Sequence, residues 1–177
     1  MTIQSSMELR PTRLEDNPKG PSSYFSVVIT KKDGTQKLVS DFEHNVFPAA
    51  CIDLIHTDMF TTTSKSGSGF NFIALTANTG QTVDADQTAL TGEITTNGLS
   101  RVQATTRTHG AGTSTSLIEH TFTLSGTQSD ITRAALFNLI GPPVAGTMGP
   151  FAAFTNGATG QMVSGETVKV SVTITTS

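Results

Sequence analysis

Cysteine and histidine are the side chains of this chain best suited to chemistry, and their spacing argues against it. Cys51 and His56 lie five residues apart, off a shared helical face, and no third group in the sequence orients them as nucleophile and base. A core cysteine and a helix-end histidine account for the pair. His44, His109 and His120 are scattered among Thr and Glu, without the HxH or HExxH spacing that brings two imidazoles to one metal ion. Solvated or hydrogen-bonded histidines explain them. Asp84 and Asp86 have the chemistry to hold a cation such as Ca²⁺, yet capping a neighbouring helical turn explains both without any reaction. Gly110-Ala-Gly-Thr-Ser-Thr115 has the glycine content of a phosphate loop but lacks its Lys-Ser/Thr ending and following helix. A hairpin turn suffices there. With no Trp and only Tyr24, a stacking platform for sugars is poorly supplied. These residues predict no catalytic, cofactor-binding or metal site, and the chain reads as non-enzymatic.

Composition narrows the remaining classes. Of 177 residues only 14% are charged, against about 25% in ordinary soluble domains, and Thr with Ser makes up roughly a quarter of the chain. Hydroxyls cost far less to desolvate than Lys or Glu, so such a surface suits large contacts with other chains. Thr is also simply common in strands, which explains the same composition without any partner. The net charge of −3 includes no basic block able to neutralise phosphates, which speaks against nucleic-acid binding. Residues 1–40 carry six basic and four acidic groups, whereas residues 41–177 carry five and ten. The N-terminal segment is therefore the better candidate for an acidic partner. The lone Cys51 excludes an internal disulfide, Met1 to Arg10 lacks an apolar signal core, and no stretch has the roughly 18 apolar residues of a membrane helix. Folding in a cytoplasm, with no membrane partner, is expected.

The elements follow from patterning. Residues 1–24, with Pro11, Pro18, Gly20 and Pro21 and few large apolar groups beyond Leu9 and Leu14, predict an extended N-terminal arm. Residues 25–177 predict one β-rich domain. A hairpin spans 25–40, with Asp33-Gly34 at its turn. A short helix covers about 47–60, with Ala50, Cys51, Leu54, Ile55 and Met59 on one face and Pro48 in the first turn, followed by a Thr/Ser/Gly loop to Gly69. A sandwich occupies 70–177. Its strands are Phe70 to Ala77, Arg101 to Thr108, Ser116 to Leu124, Ile131 to Ile140, Phe151 to Phe154 and Thr167 to Thr175, with a helical turn from Asp84 to Glu93 that has Gln87 at its capping-box position. Val168, Val170, Val172 and Ile174 alternate with polar residues, the pattern of a half-buried antiparallel strand. Ala134 to Ile140 is nearly all apolar and predicts a central strand covered on both faces. The fold class expected is mostly β: an antiparallel β-sandwich or partly open barrel with one short helix.

Four features in order cover about three-quarters of the chain. An apolar helix ends in a Thr/Ser loop; Phe70-Asn-Phe-Ile-Ala-Leu-Thr-Ala-Asn-Thr-Gly80 follows; Gln87-Thr-Ala-Leu-Thr-Gly-Glu93 precedes a Thr-rich hairpin; and Ala135-Leu-Phe-Asn138 leads to Gly165-Glu-Thr-Val-Lys-Val-Ser-Val-Thr-Ile174. This arrangement resembles structural proteins of tailed bacteriophages: head decoration (cement) proteins, head fibres or tail-associated components. The sequence departs from their pattern at Thr132-Arg133, where an acidic residue often precedes the apolar strand, and in its N-terminal addition. The resemblance implies a virion protein made in the host cytoplasm and assembled with the major capsid protein or other virion subunits, as a homo-oligomer. A capsid decoration protein that stabilises the head is the leading expectation. A tail, head-tail connector or fibre-base component is the alternative, and a host-surface-binding adhesin a third. The arm residues Leu9, Arg10, Pro11, Arg13 and Leu14 are the candidate partner contacts, since guanidinium groups pair bidentately with surface carboxylates.

Overall fold

A computed structural model of the chain describes residues 22–44, 69–83, 86–109, 111, 115–140, 146–154 and 158–175, without the side chains of Ser22 and residues 41–44. The expected helix at 47–60, the arm residues 1–21 with Leu9, Arg10, Pro11, Arg13 and Leu14, and the Cys51/His56 pair all lie outside the described residues. Among the described residues nine strands make up the regular structure: β1 (Ser22–Thr30), β2 (Gln36–His44), β3 (Phe72–Thr76), β4 (Val102–Gln103), β5 (Thr106–His109), β6 (Thr115–Thr123), β7 (Arg133–Phe137), β8 (Met148–Ala153) and β9 (Thr167–Thr175). They form two antiparallel sheets, one in the order β2-β1-β9-β6-β5 and the other β4-β3-β7-β8. The fold is a mostly β sandwich, not a closed barrel.

Alternation along β1, β6 and β9 aims Phe25, Val27, Ile29, Ile118, Phe122, Val168, Val170 and Val172 at the second sheet, where Ile73, Leu75, Ala134, Leu136, Ala152 and Phe154 meet them. The four-stranded sheet is buried on its other face as well, by a cluster of Phe72, Ala74, Leu90, Ala135, Phe137, Met148 and Phe151. That explains why β3 and β7 read as continuous apolar runs. The expectation of a central, doubly covered strand is met over Ala134 to Phe137 of β7, which lies between β3 and β8, but Leu139 and Ile140 lie past the strand and are exposed.

Several boundaries differ from the sequence reading. Ser22, Ser23 and Tyr24, expected in the arm, belong to β1, because their backbone pairs with Thr175, Ile174 and Thr173 of β9. The single strand expected from Arg101 to Thr108 is two. Val102 and Gln103 pair with β3, whereas Thr106 to His109 pair with β6, so the chain changes sheets at Ala104-Thr105. The helical turn expected from Asp84 to Glu93 is replaced, over its described residues 86–93, by turns and a bridge from Glu93 to Thr76. Gln87 is not a capping residue there. Its Oε1 accepts from Gln81 Nε2 at 2.7 Å, and Gln81 also donates to the Ala89 carbonyl (2.6 Å) and accepts from the Thr91 N–H (2.8 Å). One buried amide thus satisfies the irregular backbone that would otherwise favour a helix.

Two turns fix the sandwich ends. In the β1–β2 hairpin, Gly34 takes φ +84°, its N–H donates to the Lys31 carbonyl (3.0 Å), and Asp33 Oδ1 accepts from the Thr35 N–H (2.9 Å). At Asn97-Gly98 both residues have positive φ and the Leu99 N–H closes onto the Thr96 carbonyl at 3.0 Å, the two-residue geometry that Asn-Gly favours.

Candidate interaction surface

Among the described residues no three His, Cys, Asp or Glu side chains come together. His109 is exposed at the end of β5, its Nδ1 lying 3.1 Å from the Thr115 carbonyl and 3.3 Å from Ser116 Oγ. His120 is half-buried on the inward side of β6, edge-on to Phe122 with ring centroids 4.7 Å apart. Its Nδ1 is buried without a hydrogen-bond partner, and burial pushes its pKa below the ordinary imidazole value. Asp86 is exposed, and its expected companion Asp84 lies outside the described residues. Of the Gly110 to Thr115 turn, Ala111 and Thr115 alone are described. Among the described residues none of these groups joins another in a reactive constellation.

What the register does assemble is a face. Directly paired residues of antiparallel strands share one side of a sheet, so the pairings of the five-stranded sheet set out its outward rows. Across β1, β9, β6 and β5 run Tyr24, Thr173, Leu117 and Thr108, then Ser26, Ser171, Glu119 and Thr106. Next come Val28, Lys169 and Thr121, with Leu38 of β2 beside Val28, and then Thr30, Thr167 and Thr123, with Gln36 beside Thr30. All of these side chains are half-buried or exposed. Two carry formal charge, and they are joined: Lys169 Nζ lies 3.0 Å from Glu119 Oε2, which also accepts from Ser171 Oγ at 2.8 Å. Burial is the largest single influence on the Glu119 carboxyl and pushes its pKa up, but the hydrogen bonds from Lys169 and Ser171 and the Lys169 charge together hold it below its ordinary value. Among the described side chains the outward face is therefore hydroxyl-rich and sparsely apolar, and its two charges compensate each other.

The remaining polar clusters are structural. Arg101 grips Glu93 with both prongs of its guanidinium, Nε to Oε1 at 2.9 Å and Nη2 to Oε2 at 2.5 Å, while Nη1 donates to the Leu139 carbonyl at 3.2 Å and the guanidinium carbon lies 3.5 Å above the Phe137 ring. Both side chains are inaccessible, at 2% and 1% exposure. Arg133 donates to the carbonyls of Asn78 and Thr79, and Thr132 Oγ1 donates to the Asn78 carbonyl at 2.9 Å. Thr132 and Arg133 thus clamp the chain leaving β3. At the far end Glu166 accepts from the Val163 N–H (3.0 Å) and from Lys31 (3.2 Å), which hold its carboxyl below the usual range and tie the β1–β2 turn to the start of β9.

Sequence reasoning identified neither the Arg101–Glu93 pair nor the neutral outward face. The ion pair leaves no periodic trace in the sequence. No protein-family model, no curated protein and no solved structure matches this chain.

Proposed function

We propose that this chain is a non-enzymatic structural protein of a tailed-bacteriophage virion, a capsid decoration or cement protein that stabilises the head. The observation that carries the reading is the outward face of the five-stranded sheet, whose described side chains are mostly Thr and Ser around one internally compensated ion pair. Such a face is inexpensive to desolvate and supplies hydrogen-bonding groups to a flat partner. The sequence resemblance to phage structural proteins supports the same reading. Binding across capsid subunits adds free energy to the assembled state alone and stabilises it by linkage. The partners are the major capsid protein or other virion subunits, with Leu9, Arg10, Pro11, Arg13 and Leu14 as the arm contacts.

The test is the copy number of this chain in purified particles, quantified against the major capsid protein. A decoration protein is expected on the order of hundreds of copies, whereas closed symmetry at a connector or tail gives on the order of a dozen. A dozen copies would move the protein to the tail or connector. Absence from particles would end the virion reading.

A further inference from the structure

We propose that the outward face of the five-stranded sheet is a self-association surface on which a second copy of this chain packs sheet to sheet about a two-fold axis. The inference rests on the assembly role proposed above and names a second copy of this chain as the occupant of that face, and it is tested on the isolated protein, so either reading can fail without the other.

Size is the first argument. Five strands about 4.8 Å apart, most of them nine residues long at roughly 3.4 Å per residue, present on the order of 600 Å² in projection, and side-chain relief raises the accessible area further. A stable interface needs about 800 Å² from each partner. The face is of the right order as one continuous patch, and it is apolar where an anchor is useful: Leu38, 37% exposed, stands beside Val28, and Leu117 lies in the row of Tyr24.

Charge is the second. The face has one cation and one anion among its described side chains, in adjacent rows and on adjacent strands, β9 and β6. Ser171, midway along the central strand β9, touches the same carboxylate. A two-fold axis lying in the contact plane and passing between Lys169 and Glu119 carries each onto the position of the other. Lys169 of one copy then faces Glu119 of the next, twice, so neither of these two charges meets its like. An isologous contact requires this self-complementarity, residue i meeting j while j meets i. A partner of one sign would leave either Lys169 or Glu119 opposed by its like.

The experiment is sedimentation velocity of the full-length chain over a concentration series, with Lys169→Glu and Glu119→Lys measured singly and mixed. The wild type is expected to dimerise. Each single variant places two like charges at the centre of the face and is expected to weaken self-association at least tenfold. Their equimolar mixture brings an all-acidic centre against an all-basic one and is expected to restore the dimer. Melting followed by circular dichroism shows whether each variant folds. Should one not fold, Thr173→Lys, on the same face and outside the ion pair, replaces it and is expected to weaken the dimer likewise. A wild type that stays monomeric, variants that dimerise as the wild type does, or a mixture no better than its components would each overturn the proposal.

Discussion

Replacing Arg101 by Met leaves the Glu93 carboxylate buried at 1% exposure without its partner. In the native chain the groups that hold the guanidinium include both Glu93 oxygens, the Leu139 carbonyl and the Phe137 face. Removing one member of such a pair costs about 3–5 kcal/mol, because desolvation of the survivor is no longer offset. Against a domain stability of about 5–15 kcal/mol that is a large fraction, and at 2–4 °C per kcal/mol for a chain of this size the melting temperature should fall by about 6–20 °C. Glu93→Leu should be comparably harmful. The double variant Glu93→Leu with Arg101→Met removes both charges and replaces them by apolar groups, so it should lie within about 2 kcal/mol of the wild type. Urea denaturation of the four proteins closes the cycle, with the slope m checked for constancy. If Arg101→Met costs less than about 1 kcal/mol, or if the two single losses simply add in the double variant, the buried pair does not hold the loop before β4 against the four-stranded sheet.

Two further outcomes test the interior. His120 has its pKa lowered by burial, so the unfolded chain binds more protons than the folded one in the window below the ordinary value of about 6.5; stability should fall as pH drops through that window, before the carboxylates titrate. Denaturation midpoints of the wild type should decline as pH drops below about 6.5 while those of His120→Phe stay flatter, and identical pH profiles would refute the assignment. Gly98 and Gly160 both have positive φ, but a Cβ at Gly98 would lie 2.3 Å from the Thr123 carbonyl oxygen whereas one at Gly160 meets nothing within 4 Å. Gly160→Ala should therefore cost about 1–2 kcal/mol of backbone strain, and Gly98→Ala more than that by at least about 1 kcal/mol, since backbone must move; equal melting temperatures would show that the turn adapts freely.

Strands were legible wherever one local rule decided them. Asp33-Gly34 marked the first hairpin, the Val168 to Ile174 alternation gave β9 its bounds, and the apolar run from Ala134 identified β7 as doubly covered. The sheet change at Ala104-Thr105 was illegible because no Gly or Pro marks it: the Ala104 N–H donates to the Asn71 carbonyl on one side of the break, and Thr105 Oγ1 donates to the Glu119 carbonyl on the other. The segment from Asp84 to Glu93 carried a capping pattern that tertiary hydrogen bonds to Gln81 override. Arg101 and Glu93 meet through a bridge and a turn that neither a period of 2 nor one of 3.6 encodes. The outward face was half legible. Its hydroxyl content is a composition, but the rows that unite Ser26, Ser171 and Glu119 exist only once β1, β9 and β6, distant in sequence, are in register.

Register also separates two populations of threonine that composition merges. Thr76, Thr132 and Thr159 are buried, and each hydroxyl is used inside: Thr76 Oγ1 donates to the Thr91 and Gly92 carbonyls, Thr132 Oγ1 to that of Asn78, and Thr159 Oγ1 accepts from the Ile131 N–H. These satisfy irregular backbone, and a valine at any of them would leave a carbonyl or an N–H short of a partner. Thr106, Thr108, Thr121, Thr123 and Thr173 stand instead on the outward face, half-buried or exposed. Strand propensity alone would be served there by Val or Ile as well as by Thr. An exposed sheet face of Val and Ile would aggregate, and one of Lys and Glu would resist close contact, so Thr is the choice that keeps such a face soluble yet dockable. The four-stranded sheet, covered on both faces, has no such face to keep. Both sheets build the core, and under the proposed assembly role the asymmetry between their outer faces predicts that charge is tolerated by the fold, but not by assembly, on the outward rows of β6 and β9.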